Sequence, residues 1–174
     1  ATVTNAGTVN VSEFYDSRDV NMGAFLIADA DLVDFTNSGT ITVTNSNSSS
    51  LPSSASRLSS GVRIVGADQV VFRNDGTIRN TGYLTNSVSL LGRSIQFLNN
   101  GLIEASAGTY SDDRGVSRPA TGTAAATVDD AAILEFRNTG TIRSTTAPYA
   151  AESQFTLLGR GTANIANSGA FASS

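Results

Sequence analysis

The side chains available for chemistry are carboxylates and guanidinium groups. Histidine, cysteine and tryptophan are absent, and all eleven basic residues are arginine. That composition excludes a zinc site of the usual kind, a thiol nucleophile and an imidazole general base. What stays open is a pair of acids acting on a glycosidic bond. Asp29, Asp31 and Asp34 form one acidic cluster, Asp129, Asp130 and Glu135 a second, and Asp112 and Asp113 a third. Calcium at Asp29/Asp31 or Asp112/Asp113 is another use for the same groups, but the glycine-rich nonapeptide calcium repeat is missing. The plainer reading is solvated turn residues, and the spacing favours it. Asp34 and Glu135 occupy equivalent positions in repeats that are not neighbours, as do Asp29 and Asp130.

Four arginines, Arg73, Arg79, Arg137 and Arg143, flank the same short motif in two places. On outward positions they would pair with acids of neighbouring repeats or blunt a sheet face against edge association. A strip for sulfate or polysaccharide is the functional alternative. LLGR occurs at 90–93 and 157–160, and without a following Gly-Lys-Ser/Thr it reads as a turn, not a phosphate loop. The tyrosines Tyr15, Tyr83, Tyr110 and Tyr149 all lie outside the repeated motif. A ring that stacks and a hydroxyl that hydrogen-bonds suit a carbohydrate or protein surface, so they mark a candidate binding edge. Pinning their own loops onto the structure beneath is the alternative role.

The element that must position these groups is a repeat. Six stretches align without gaps: 3–11, 35–43, 72–80, 97–105, 136–144 and 165–173. Each reads apolar-x-Asn-x-Gly-x-apolar. Alternation of apolar and polar residues is a strand signal, and residues two apart share a face. A second alternating pair lies upstream of five copies, so a unit is three short strands and two corners, about seventeen residues before insertions. The turn is one residue shorter in the copy at 88–96. Seven of the eight phenylalanines fall at repeat positions, and stacking the copies predicts an aromatic column that includes Phe35, Phe72, Phe97 and Phe136. Asn5, Asn37, Asn74, Asn99, Asn138 and Asn167 face inward, where a polar group is costly unless bonded. They are expected to bend the chain through left-handed backbone angles and to bond the same Asn in adjacent copies as a ladder.

Successive motif glycines are 32, 37, 25, 39 and 29 residues apart. The variation lies in insertions at 10–24, 42–61, 79–87, 104–125 and 143–154, which hold all three prolines and the tyrosines. Occupying one place in each unit, they should emerge along one edge.

The remaining composition agrees. With 40% apolar and only 15% charged residues in 174, the chain has a core and is rich in uncharged turn formers. A net charge of −4 speaks against nucleic acid, which needs concentrated basic surface. No apolar run reaches the ~20 residues of a membrane-spanning helix. The first residues lack the basic and apolar regions of a signal peptide, so the chain reads as mature or as cut from a longer one.

The phrase Asn-x-Gly-Thr-Ile at 37–41, 74–78 and 138–142 resembles the passenger regions of Gram-negative autotransporters and related surface adhesins. The resemblance covers nearly the whole chain apart from the insertions. It implies a right-handed β-helix outside the cell, working in adhesion, aggregation or biofilm.

The expectation is therefore an all-β, single-stranded parallel β-helix of about five to six rungs, one domain over residues 1–174, with loops along one edge. It carries no catalytic residue, metal or cofactor. Its expected place is the bacterial cell surface or extracellular space. Its expected partners are neighbouring rungs of a longer chain or of identical subunits, and a glycan or a host or bacterial surface. Neither end shows a polar cap, so a head-to-tail filament subunit is an alternative. A polysaccharide lyase or glycosidase is another.

Overall fold

A computed structural model describes residues 1–15, 22–47, 59–82, 85–111, 116–119, 123–145, 152–158 and 161–173. Among these residues the fold is all-β, with no helix. Each copy of the repeat supplies strands in the same order. The first copy gives β1 (Thr2–Asn5) and β2 (Thr8–Tyr15); the second gives β3 (Met22–Ala28), β4 (Leu32–Asn37) and β5 (Thr40–Asn47). In the third and fourth copies the first two strands run on as one. These are β6 (Ser59–Asn74) followed by β7 (Thr77–Gly82), and β8 (Thr85–Asn99) followed by β9 (Leu102–Ala107). The short β10 (Thr109–Ser111) and β11 (Ser117–Pro119) come next. The fifth copy gives β12 (Thr123–Asp129), β13 (Ile133–Asn138) and β14 (Thr141–Thr145). The sixth gives β15 (Glu152–Leu158), β16 (Thr162–Asn167) and β17 (Ala170–Ser173).

Strands before the Asn-x-Gly corner build a nine-stranded sheet, and strands after it lie in an eight-stranded one. Pairing between successive copies is parallel and joins equivalent positions. Phe35 lies opposite Phe72, Phe72 opposite Phe97, and Phe97 opposite Phe136. In the second sheet Ile41, Ile78, Ile103 and Ile142 follow the same rule. Among the described strands only β10 and β11 pair antiparallel, in the segment between the fourth and fifth copies.

The period-two pattern decides the faces. In β4, Val33, Phe35 and Asn37 are buried while Leu32 and Asp34 are exposed. Buried residues from both sheets form one apolar cluster. Within it Phe35, Phe72, Phe97 and Phe136 stack with ring centroids 5.6, 5.0 and 5.0 Å apart, the offset spacing that aromatic quadrupoles favour.

The expected single column of seven phenylalanines needs correction. Phe25 meets Phe35 edge-on at 5.4 Å from the neighbouring first-strand position. Phe171 belongs to the isoleucine row, opposite Ile142, and reaches Phe136 across the corner at 6.1 Å. Ile165 takes the phenylalanine position in the sixth copy. The Phe155 backbone lies opposite Ala126, in a third row. The cause is that each copy has two inward-facing strand pairs before its corner and one after, so "apolar repeat position" means three rows.

The asparagines do not bend the chain as expected. Among the described residues, the non-glycine positions with positive φ are Asp29 at 54° and Asp130 at 56°. The motif asparagines end their strands, and the x-Gly pair makes the turn. Glycine is needed there because copies approach closely. A Cβ on Gly76 would lie 2.1 Å from the carbonyl oxygen of Gly39 one copy earlier, which no side chain tolerates.

Strands also reach further into the insertions than expected. β2 and β5 run to Tyr15 and Asn47, and β6 begins at Ser59. Much of the expected insertion sequence is therefore paired strand.

Candidate functional site

The Asn-x-Gly corner holds a repeated hydrogen-bond unit. The amide Nδ2 of Asn37 donates to Oδ1 of Asn74 at 2.8 Å, and also reaches the carbonyl of Gly39 at 3.3 Å. Asn5 donates to Asn37, Asn74 to Asn99, Asn99 to Asn138 and Asn138 to Asn167, at 2.7–2.8 Å. The backbone repeats in step: Asp75 and Gly76 amides both donate to the Asn37 carbonyl, and Thr77 donates to Gly39. Asn37, Asn74, Asn99 and Asn138 are fully buried. Their polar atoms are satisfied inside the molecule, which is the condition for burying them.

A second ladder runs outside the first, on the x residues of the motif. Thr139 Oγ1 donates to Asn100 Oδ1 at 2.6 Å, and Asn100 Nδ2 donates to Asp75 Oδ1 at 2.7 Å. Arg73 Nε closes the row on Asp75 Oδ2 at 2.6 Å. The Asn100 amide first, and the Arg73 guanidinium second, hold the Asp75 carboxyl below the usual carboxylate range. Sequence reasoning passed over these positions as unconstrained. The available signal was that Ser38, Asp75, Asn100, Thr139 and Ser168 all carry hydrogen-bonding side chains.

On the outer face of the eight-stranded sheet, Arg79, Glu104 and Arg143 occupy one row in adjacent strands. Glu104 accepts from Arg79 Nε through Oε2 at 2.8 Å and from Arg143 Nη2 through Oε1 at 2.7 Å. The row joins groups 64 residues apart in sequence, from 79 to 143.

Among the described residues, Asp34 and Glu135 do not converge as a catalytic pair. Asp34 and Glu135 share a row but are separated by β6 and β8. Three strand spacings make about 14 Å, beyond the roughly 5–9.5 Å that glycosidic acid pairs use. Glu135 instead accepts from Gln96 Nε2 at 3.1 Å. Asp29 and Asp130 make the left-handed turn of the first corner, where the third copy has Gly66 at φ 73°. Asp112 and Asp113 lie outside the described residues. No group of three or more acids among the described residues is placed to hold a metal ion.

The fourth copy is one residue short at this first corner. Val65 pairs with Leu91 and Ala67 with Gly92, so Gly66 has no counterpart. The surface dips there into an open cleft of about 450 Å³ lined by Asp68, Arg93 and Asp130 among others.

Of the tyrosines, Tyr83 and Tyr149 lie outside the described residues. The backbones of Tyr15 and Tyr110 are brought together: both pair with Asn47, one on each side. The pairing puts two tyrosines from insertions nearly a hundred residues apart in one row.

At the third corner, where the third copy passes to the fourth, the described interior is polar. Asn80 Nδ2 donates to the Asn86 carbonyl at 3.0 Å, and Ser87 Oγ donates to the Glu104 carbonyl. Sequence reasoning missed this closure because it assigned 79–87 to an insertion. Comparison with known proteins gives no match to a family model, a curated protein or a solved structure.

Proposed function

We propose that the chain is a segment of a single-stranded parallel β-helix serving as an extracellular structural and adhesive module. The observation that carries this reading is the division of labour between two parts of each copy. Equivalent core residues pair in register from copy to copy, while the length differences gather between the third strand of one copy and the first of the next. Such a chain is built as a stiff spacer: stability accumulates through neighbour-to-neighbour contacts, and segments leaving one edge are free to vary. On this reading the whole of 1–174 is one unit with a right-handed coil, as in the passenger regions it resembles, and it works at a bacterial surface. The row holding Tyr15 and Tyr110 is the candidate contact edge, facing a glycan or a cell surface.

The test is adhesion. Beads coated with the folded chain should attach to bacterial or host-cell surfaces, and beads coated with the heat-unfolded chain should not. Equal attachment by both would end the reading. So would release of new reducing ends or unsaturated sugars from a polysaccharide incubated with the chain, because cleavage belongs to an enzyme.

A further inference from the structure

We infer that the outer face of the eight-stranded sheet carries a binding strip for an acidic polysaccharide, read by Arg79 and Arg143 at a spacing fixed by Glu104. This rests on the adhesive reading and gives it a ligand class and a place. That place is a flat strand face, additional to the tyrosine row.

The geometry supplies the argument. Arg79, Glu104 and Arg143 sit on β7, β9 and β14, which are neighbours in that order. The backbones of the two arginines are therefore two strand spacings apart, about 9.5 Å, and their guanidinium groups lean inward onto the two oxygens of Glu104. Glu104 gives one carboxylate oxygen to each arginine and is itself only 12% exposed, while the arginine side chains stay 49% and 41% exposed. Two positive groups against one negative leave a net charge of +1 on the strip, in a chain whose overall charge is −4. Glu104 is also the one acid among the described outward positions of this sheet.

A lone surface arginine would lose rotamer freedom on binding an anion. These two have already lost it to Glu104, so more of the contact energy remains for a ligand. Their forked donors match carboxylate or sulfate oxygens. Hydroxyls flank the strip: strand alternation puts Thr77 and Thr81 beside Arg79, and Thr141 and Thr145 beside Arg143. Thr145 Oγ1 is fixed on Ser106 Oγ at 2.7 Å. In an extended polysaccharide with one acidic group per disaccharide, successive acids on one side fall within reach of two long side chains rooted on strands this far apart. Sugar hydroxyls then meet threonine hydroxyls between them. A nucleic acid fits less well, because its phosphates are denser and need a larger positive surface than one net charge.

The experiment uses the full chain immobilised on a sensor, with hyaluronate as the probe and its carboxyl-reduced, neutral form as the control. Hyaluronate should bind, and the reduced polymer should not. The double variant Arg79→Gln/Arg143→Gln should bind about tenfold or more weakly, having lost two charge-assisted contacts. Arg137→Gln, on the other sheet, should bind as the parent does. Circular dichroism should show both variants folded, since all three side chains point outward. Equal binding by the double variant, or equal binding of the neutral polymer, overturns the strip. Bead adhesion retained, with hyaluronate binding the double variant as it binds the parent, would sink this inference alone. Absence of all adhesion, with arginine-dependent hyaluronate binding intact, would sink the adhesive reading alone.

Discussion

The two corners that every complete copy must turn differ in which groups join them to the next copy. The Asn-x-Gly corner, between the second and third strands, is held by bonds to the next copy. Asn37 reaches Asn74, and Gly76 lies under Gly39 with no room for a Cβ. The first corner, between the first and second strands, is also bonded across copies, but through backbone groups. The Asp29 amide donates to the Val65 carbonyl, Gln69 to Asp31 and Ala132 to Arg93, while Asp29, Gly66 and Asp130 make its left-handed turns. A corner bonded across copies through a side chain, or packed with no room for one, admits one residue type at each key position, because any change is felt above and below. A corner joined by backbone groups, with a positive φ as its demand on residue type, accepts glycine or aspartate, and even accepts the missing residue of the fourth copy. Identity between copies is thus demanded by side-chain bonding and close packing between copies, not by turning or backbone pairing as such.

The largest test of this contrast is Gly76→Ala. The added methyl meets backbone rather than a movable side chain, so the loss should be about 3 kcal/mol or more, above the usual cost of overpacking. Urea unfolding would measure it, and a loss under 1 kcal/mol would break the comparison. Next comes Asn74→Ala. It orphans the Asn37 donor below and the Asn99 acceptor above, for about 2–3 kcal/mol. If the cost equalled that of an exposed Asn, the ladder would be ornamental.

At the first corner the same chemistry should matter less. Gly66→Ala places a side chain at φ 73°, costing about 1–2 kcal/mol. Asp130→Gly removes that strain and should stabilise by up to about 1 kcal/mol, offset by extra freedom in the unfolded chain. A destabilising Asp130→Gly would show that the Asp130 side chain holds the corner.

The smallest effect concerns Asp75, whose carboxyl is held low in the folded state by Asn100 and Arg73. A depressed acid adds stability above its unfolded pKa, near 4, and loses it as the pH falls through the folded value. Asp75→Asn should therefore weaken the protein slightly at neutral pH and lose its effect in acid. A difference that grows on acidification would contradict the assignment.

What the sequence made legible follows the same line. The asparagine row could be read because contact between copies writes one letter six times over, and the phenylalanine row because it writes one letter in four copies. The first corner could not, since Asp29, Gly66 and Asp130 share a backbone angle and no common side chain. Left-handed angles were instead expected of asparagine, from its general tolerance of them, whereas here its amide serves the neighbouring copy. Arg79 and Arg143 were visible as outward charges, but their shared partner Glu104 is exposed only by the register across β9. The Tyr15–Tyr110 row was hidden for a similar reason. It depends on β10 reaching β5, two copies back, inside a segment that the motif does not cover.

The buried amides have one more consequence. All five of their mutual bonds run the same way, N–H toward the later copy and C=O toward the earlier. Hydrogen bonds chained in series polarise one another, and aligned amide dipoles add, as peptide dipoles do along a helix. The stack thereby has an electrical sense of its own, positive toward the later copies, set by neutral side chains before any formal charge is counted.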